Sequence, residues 1–277
     1  EELGLRGRII IGDEGINGTV SGAVASTDAY REALLGDPLT SAIQFKIDLA
    51  EDHVFPKLSI KYRPEIVTLG LNQEDDIDPN EITGDHLDPA EFLEAMQDEN
   101  ALVIDGRNLY ESELGRFKGA ICPEIDNFRD FPAWLREHRR ELEGRRLLTY
   151  CTGGIRCEKL SGFLKQEGFE DVAQLDGGII RYSQDPATQG RDFEGLCYVF
   201  DERVGIEVNH TETRKVITHC RHCDVEWPHY GNCQWNRCNA QIFVCESCRE
   251  SHGLYCDEYC REQHAEQIAA EDAAMIE

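Results

Sequence analysis

Short apolar stretches separated by turn residues dominate the first 72 positions. Arg8–Ile11 is apolar, Gly12-Asp13-Glu14-Gly15 reverses the chain, and Ile16–Ser21 alternates inward and outward, the pattern of a strand pair. Ser26-Thr27-Asp28 reads as the cap of a helix running to about Leu35, where Gly36-Asp37-Pro38 stops it. Gln44–Leu49 and Lys57–Tyr62 read as two further strands. Strand, strand, helix, strand, strand predicts a small α+β sandwich over residues 1–72, with its first strand missing. The opening residues, Glu1-Glu2-Leu3-Gly4, read as a point inside a domain rather than a leader.

The pattern then changes. Residues 73–100 hold 11 acids and no Lys or Arg, and 73–84, with Asp78-Pro79-Asn80, reads as an acidic linker. Asp88-Pro89 opens a helix to about Gln97, with proline at a position that needs no amide. Strand Ala101–Asp105, helix Pro132–Glu141, strand Arg146–Tyr150, helix Cys157–Gln166 and strand Val172–Leu175 follow. Such alternation predicts an α/β domain over 85–192, a parallel sheet with helices on both faces. Residues 193–265 form a Cys-rich domain, and 266–277 an Ala/Glu-rich tail.

At 277 residues the chain is long enough for about two domains of ~150 residues. It carries 40% hydrophobic and 30% charged residues, enough apolar material for a core. No run approaches the ~18 apolar residues of a membrane helix, so no membrane partner is expected. The net charge is −26, from 54 acids and 28 bases. A uniform field of that sign repels nucleic acid, so polyanion binding would depend on where the bases cluster. Only seven of the bases are Lys. Such a surface fits high-salt adaptation as well as an acidic mesophile, and composition does not choose between them. Nor does it fix the oligomeric state.

Strand Leu147–Tyr150 ends at Cys151-Thr152-Gly153-Gly154-Ile155-Arg156, just before a helix. In an open parallel sheet chemistry gathers at the carboxyl ends of strands. A thiol there faces a helix N-terminus, whose free amides and partial positive charge favour the thiolate. Two glycines let the loop fold tightly enough to aim amides at an anion or sulfur, and Arg156 adds a fixed charge. The alternative is a buried structural cysteine on a tight turn. Cys157 reads as a packing residue, with a resolving thiol as the alternative; Cys122 and Cys197 read as core thiols.

Cys151 with Arg156 five residues on resembles the six-residue active-site loop of rhodanese domains. Asp105-Gly106-Arg107, Glu111, Gly115–Ala120 and Leu175-Asp176-Gly177-Gly178 match other parts of that pattern, over about residues 85–190. Cysteine phosphatases of similar fold carry a longer loop, which disfavours phosphatase chemistry here. Three separated motifs, Asp13–Thr19, Cys151–Lys159 and Phe200-Asp201-Glu202-Arg203, together resemble the rhodanese-type tRNA uridine hydroxylase family. The resemblance implies a ferredoxin-like (acylphosphatase-like) N-terminal domain, a rhodanese domain and a Cys-rich C-terminus. It also implies a cytoplasmic enzyme that hydroxylates the wobble uridine of tRNA at carbon 5 with molecular oxygen as co-substrate. Cys151 would be its catalytic, persulfide-forming residue and Arg156 its cationic partner. Thr152, Gly153, Gly154, Ile155, Asp105 and Arg107 would line or bind at the loop. No organic cofactor is evident, and no spacing of two histidines and a carboxylate marks an oxygen-activating iron.

Eight of the twelve cysteines lie between positions 220 and 260, in four pairs: Cys220 and Cys223, Cys233 and Cys238, Cys245 and Cys248, Cys256 and Cys260. Eight thiols in closely spaced pairs are what two tetrahedral four-cysteine zinc sites require. The separated pairs lack the run typical of iron–sulfur ligation. Either adjacent pairs share an ion, or the first joins the third and the second the fourth; His219, His222, His252 and His264 are near enough in sequence to substitute. Complete four-cysteine sets leave no open position, so both ions read as structural.

For RNA, His53–Pro64 presents Lys57, Lys61 and Arg63 with Tyr62 and no acid, a ribbon suited to a splayed anticodon loop. A merely solvated strand face is the alternative. This ribbon is expected to share one basic patch with Arg145, Arg146 and Lys159 around the Cys151 loop. Two other functions remain: a sulfurtransferase moving sulfane sulfur to an acceptor thiol, and a zinc-stabilised RNA-binding or scaffold protein. An intact Cys151 weighs against the latter, and the flanking domains against the former.

Overall fold

The computed structural model describes residues 2–71 and 76–274. At the N-terminus β1 (Arg6–Gly12) pairs antiparallel with β2 (Gly15–Ser21) across a turn in which Gly15 takes a positive φ of 138°. Helix α1 (Val24–Leu35) then leads on towards β3 (Leu58–Tyr62), which lies parallel to β1, giving the strand order β2-β1-β3.

Two expectations change here. Helix α1 starts at Val24 with Ala23 at its cap position, so Ser26-Thr27-Asp28 occupies the first turns rather than the cap; the Thr27 hydroxyl donates back to the Val24 carbonyl at 2.9 Å. Gln44–Leu49 is not a strand. It is an irregular strap held from three sides. In the central domain Lys46 Nζ donates to the Gly153 carbonyl (2.6 Å) and Gln184 Nε2 to the Ile47 carbonyl (2.8 Å). Asp48 pairs with Arg203 beyond that domain, and Phe45 meets Tyr30 of α1 edge-on at 6.4 Å. Its alternating apolar residues find no sheet to cover, and Ile47 and Leu49 stay exposed.

The central domain is built on β4 (Asp85–Leu87), α2 (Pro89–Ala95), β5 (Ala101–Asp105), α3 (Leu109–Leu114), β6 (Gly115–Phe117), α4 (Phe131–Leu142), β7 (Arg146–Tyr150), α5 (Ile155–Gln166), β8 (Val172–Leu175) and α6 (Gly178–Gln184). Four of the strands form a parallel sheet in the order β4-β8-β7-β5. Successive strand residues face opposite layers. Leu147 packs with Leu135 and Leu142 of α4 and Leu160, Phe163 and Leu164 of α5, whereas Leu148 and Tyr150 pack with Phe92 of α2 and with Ile179 and Tyr182 of α6. Burial on both faces explains why β7 carries no exposed residue. Asp88 caps α2 by accepting from the Glu91 amide, in a reciprocal capping box.

The stretch read as an acidic linker is tied to this core. Ile77 is 3% exposed among the residues packed on α4 and α5, and Asp76 bonds to Lys159; residues 73–75 of that stretch lie outside the described residues. Beyond α6, β9 (Phe193–Gly195) pairs antiparallel with β6, and β10 (Cys197–Tyr198) with β11 (Gly205–Ile206). The Cys-rich region adds the hairpin β12 (Tyr230–Asn232) and β13 (Gln241–Phe243), then α7 (Glu246–His252) and α8 (Glu258–Ala274). Its core is largely cysteine, with Ile242, Val244 and Leu254. Among the described residues no helix is long and apolar enough to cross a membrane.

Candidate functional site

Cys151 follows the last residue of β7 at the carboxyl edge of the sheet, fully buried. The chain turns through Gly154, at φ 95°, a conformation that side chains rarely tolerate, and enters the 12-residue α5 at Ile155. That turn brings the Gly154 amide to 3.1 Å from Cys151 Sγ. The "GG" after β8 closes the other side. Ile179 and Ile180 donate their amides to the carbonyls of Cys151 and Thr152, and a Cβ on Gly178 would stand 2.5 Å from the Cys151 carbonyl oxygen. Loop and glycine turn are therefore one backbone-to-backbone joint.

Burial pushes the Cys151 thiol up. The Cys157 side chain, the Arg156 charge and the amides of Cys157 and Arg156 outweigh it and bring the thiol down to about 5. Cys157, also fully buried, moves the other way: burial raises it and its hydrogen bond to Cys151 raises it further. At neutral pH the pair is a thiolate with a thiol donating to it. The other two scattered cysteines stay protonated, since burial pushes Cys122 up to about 11 and Cys197 up to about 12.

Arg156 does not point freely at the loop. Its guanidinium makes a fork with Glu111 of α3, at 2.6 Å and 2.8 Å, with a longer contact to the Thr152 hydroxyl at 3.4 Å. Glu111 is fully buried. Burial raises its carboxyl, but the charge and hydrogen bonds of Arg156 outweigh that and hold it below the usual range. The arginine thus acts on the thiolate from a fixed position.

Asp105 and Arg107, expected to line or bind at the loop, are held by each other. Both are fully buried and bonded to each other (2.9 Å and 2.6 Å), with Arg107 also donating to the Gly115 carbonyl and the Tyr150 hydroxyl donating to Asp105 at 2.7 Å. The pair braces β5, β6 and β7. Thr152, Gly153 and Ile155 lie on the loop, partly exposed, while Gly154 is buried beneath it.

The expected common basic patch does not form. Arg146 begins β7, roughly 13 Å of strand from its other end where Cys151 follows. It faces Asp171, while Arg145 donates to the carbonyls of Glu99 and Asn100. Lys159 is buried, its ammonium held by Glu14 (2.6 Å), Glu65 (2.9 Å) and Asp76 (3.1 Å). Lys57, Lys61 and Arg63 are exposed on and beside β3. Sequence reasoning missed the role of Lys46, whose segment resembles a strand, and the partnership of Glu111 with a residue 45 positions away.

All three separated motifs meet at α5. Glu14 of the first reaches Lys159 and accepts from the Ile66 amide, and Phe200 of the third lies 6.0 Å from the Arg156 guanidinium. Further on, the cysteines gather into two sets, Cys220, Cys223, Cys245 and Cys248, and Cys233, Cys238, Cys256 and Cys260, with ligand atoms within 4.8 Å of one another in each. The interleaved arrangement holds: first pair with third, second with fourth. The donor sets fit a metal, with four sulfurs converging in each and the Cys245 amide aimed at Cys220 Sγ.

The family described as "UPF0176 acylphosphatase like domain" matches residues 1–66, "Rhodanese-like domain" matches 88–185 and "Rhodanase C-terminal" matches 194–261. A protein of Bacillus licheniformis named "tRNA uridine(34) hydroxylase" is 50% identical over 261 residues, covering 94% of this chain and 80% of its own length. Proteins of the same name from Shouchella clausii (50% over 264 residues) and Bacillus pumilus (48% over 261) are covered to the same extents.

Proposed function

The chain belongs to the tRNA uridine(34) hydroxylase family, and from that membership we propose that it places a hydroxyl on carbon 5 of the wobble uridine of tRNA. One atom of molecular oxygen enters the base, while an external two-electron donor reduces the other to water. Cys151 carries the chemistry. The observation that supports this most directly is a buried thiol held as thiolate by the Gly154 amide, the Cys157 thiol and Arg156. A thiolate is the form that attacks and that takes up sulfane sulfur as a persulfide, and the amides around it suit an anionic sulfur. Arg156, fixed by Glu111, keeps a positive charge beside the sulfur without mobility of its own.

Zinc in the two four-cysteine sets suits a structural role. Each would be closed by its four sulfurs, and a closed tetrahedral site has no position for a reactant. Lys57, Lys61 and Arg63 supply exposed positive charge for the anticodon arm in a chain of net −26. The reaction is cytoplasmic, where tRNA is modified and where thiols persist unoxidised.

Nucleoside mass spectrometry of tRNA from cells lacking the protein, complemented with wild type or Cys151→Ser, tests the reading. Wild type is expected to restore 5-hydroxyuridine-derived nucleosides and Cys151→Ser to abolish them. Restoration by the serine variant would sink the assignment of Cys151, and no change on deletion would sink the activity.

A further inference from the structure

Three segments distant in sequence converge at the mouth of the Cys151 loop: the strap around Lys46, the loop itself, and the turn from Phe200 to Arg203. Arg203 ties two of them together, pairing with Asp201 on its own turn (2.7 Å) and with Asp48 of the strap, and the Glu202 amide donates to the Val54 carbonyl. Lys46 and Phe200 stand out at this junction because each is exposed while held beside the loop, Lys46 by the Gly153 carbonyl and Phe200 by its ring neighbours.

Phe200 is a large aromatic side chain left 54% exposed. Its ring is nonetheless fixed. Arg156 lies 6.0 Å from its centroid, and Tyr198 meets it edge-on at 5.1 Å. Tyr198 is held in turn by Tyr110 at 5.2 Å and by a parallel Tyr230 at 6.1 Å. An exposed aromatic held in place beside a nucleophile is a ready stacking platform for an unpaired base, since stacking needs a flat rigid face and little else.

Lys46 supplies the complementary charge. Its ammonium donates to the Gly153 carbonyl at 2.6 Å and, among the described residues, makes no ion pair. Desolvation lowers its pKa, and the Cys151 thiolate is the strongest opposing influence. The two acids that act on it are engaged elsewhere, Asp176 with Arg181 and Glu158 with His86. What sets Lys46 apart is its place: an ammonium with no carboxylate partner of its own, at the rim of this loop, is positioned to attract a phosphate. Arg156 cannot do so equally well, because Glu111 already takes its fork.

Resting on the tRNA-modifying reading above, we propose that Phe200 and Lys46 form the lip that holds the target nucleotide, Phe200 stacking on the base and Lys46 pairing with a phosphate of the same splayed strand. The lip places the base over the loop while the exposed cations of β3 hold the arm at a distance.

The probe is a fluorescent anticodon stem-loop RNA titrated against the full chain. Phe200→Leu is expected to weaken binding roughly 5- to 100-fold, the range for loss of one stacked base, and Phe200→Trp to restore it. Lys46→Gln is expected to weaken binding and lower the salt slope by about 0.7, the amount for one neutralised phosphate on a single strand, with Lys46→Arg restoring both. Alkylation of Cys151 in Phe200→Leu should keep its wild-type rate, showing the loop intact. Wild-type RNA affinity in either loss variant overturns the proposal. So does a loss accompanied by slowed alkylation, which would make Phe200 a support for the loop. Absence of uridine hydroxylation by the wild-type protein would instead strike the enzymatic reading, leaving the binding result to stand or fall separately.

Discussion

Cys151 and Cys157 occupy the same buried pocket and carry opposite protonation, because the second thiol donates to the first. Removing that donor should therefore act on reactivity rather than on folding. The Cys151 alkylation rate, followed by mass spectrometry against pH, should already be near its plateau at neutral pH, since the thiol sits at about 5. Cys157→Ala should move the curve to higher pH and slow alkylation at pH 6, about twofold for the first unit of displacement and towards about tenfold for each unit beyond it. Cys157→Ser, which keeps a donor, should move it less. Cys122 and Cys197, raised by burial, should label slowly throughout. Identical profiles for Cys157→Ala and wild type would mean that Arg156 and the loop amides suffice without the second thiol.

At the scale of elements, α5 is the post to which the N-terminal domain is tied. Lys159 projects from it into three carboxylates from three segments, Glu14 after β1, Glu65 after β3 and Asp76 beyond. Lys159→Met would leave those acids facing one another without their counter-ion. Breaking a fully buried pair costs about 3–5 kcal/mol. Here the carboxylates keep 15–32% of their surface in water, so about 2 kcal/mol is the better expectation. Urea unfolding should show the loss, and limited proteolysis should cut sooner between β3 and β4. If stability is unchanged, the carboxylates are separating on their own and the contact does not hold the domains. The strap over the Cys151 loop belongs to this scale as well: α1 and β3 anchor its ends, and its middle is held by the Gly153 carbonyl, Gln184 and Arg203, with Phe45 against α1.

For the whole molecule, the interleaved cysteine sets predict how metal loss propagates. Purified protein should contain about two zinc ions per chain. Cys245→Ser should release mainly the ion shared with Cys220, Cys223 and Cys248, and keep the other. Because the two sets alternate along the chain, loss of one should still loosen the region around both. Metal analysis by mass spectrometry finding no zinc, or an iron–sulfur absorption band, would overturn this. Charge distribution is the other global property. Lys57→Glu with Lys61→Glu should weaken tRNA binding and reduce its salt slope by roughly 0.7–0.9 for each phosphate no longer neutralised, while leaving Cys151 alkylation unchanged. Equal affinity and slope would move the RNA surface elsewhere.

Local pattern determined much of this protein. β5, β7 and β8 begin and end at the residues the apolar runs predict, because strands buried on both faces read as near-continuous apolar runs with few polar residues among them. The loop at Cys151, with its glycines, arginine and following helix, is legible for the same reason: its geometry is made by neighbours in sequence. The eight cysteines announce their ligand number through spacing alone. What tertiary structure alone decided is every partnership across distance. Sequence spacing cannot say which cysteine pairs share a site, that Asp105 and Arg107 turn inward to each other, or that Lys159 is buried among acids rather than displayed. Nor can it separate the Gln44–Leu49 strap from a strand, since alternation records which residues share a face and not whether a sheet lies beneath them. Arg145 and Arg146 are near Cys151 in number, which suggests the rim of the site. A strand carries its two ends apart, and only the fold reveals on which end the chemistry lies.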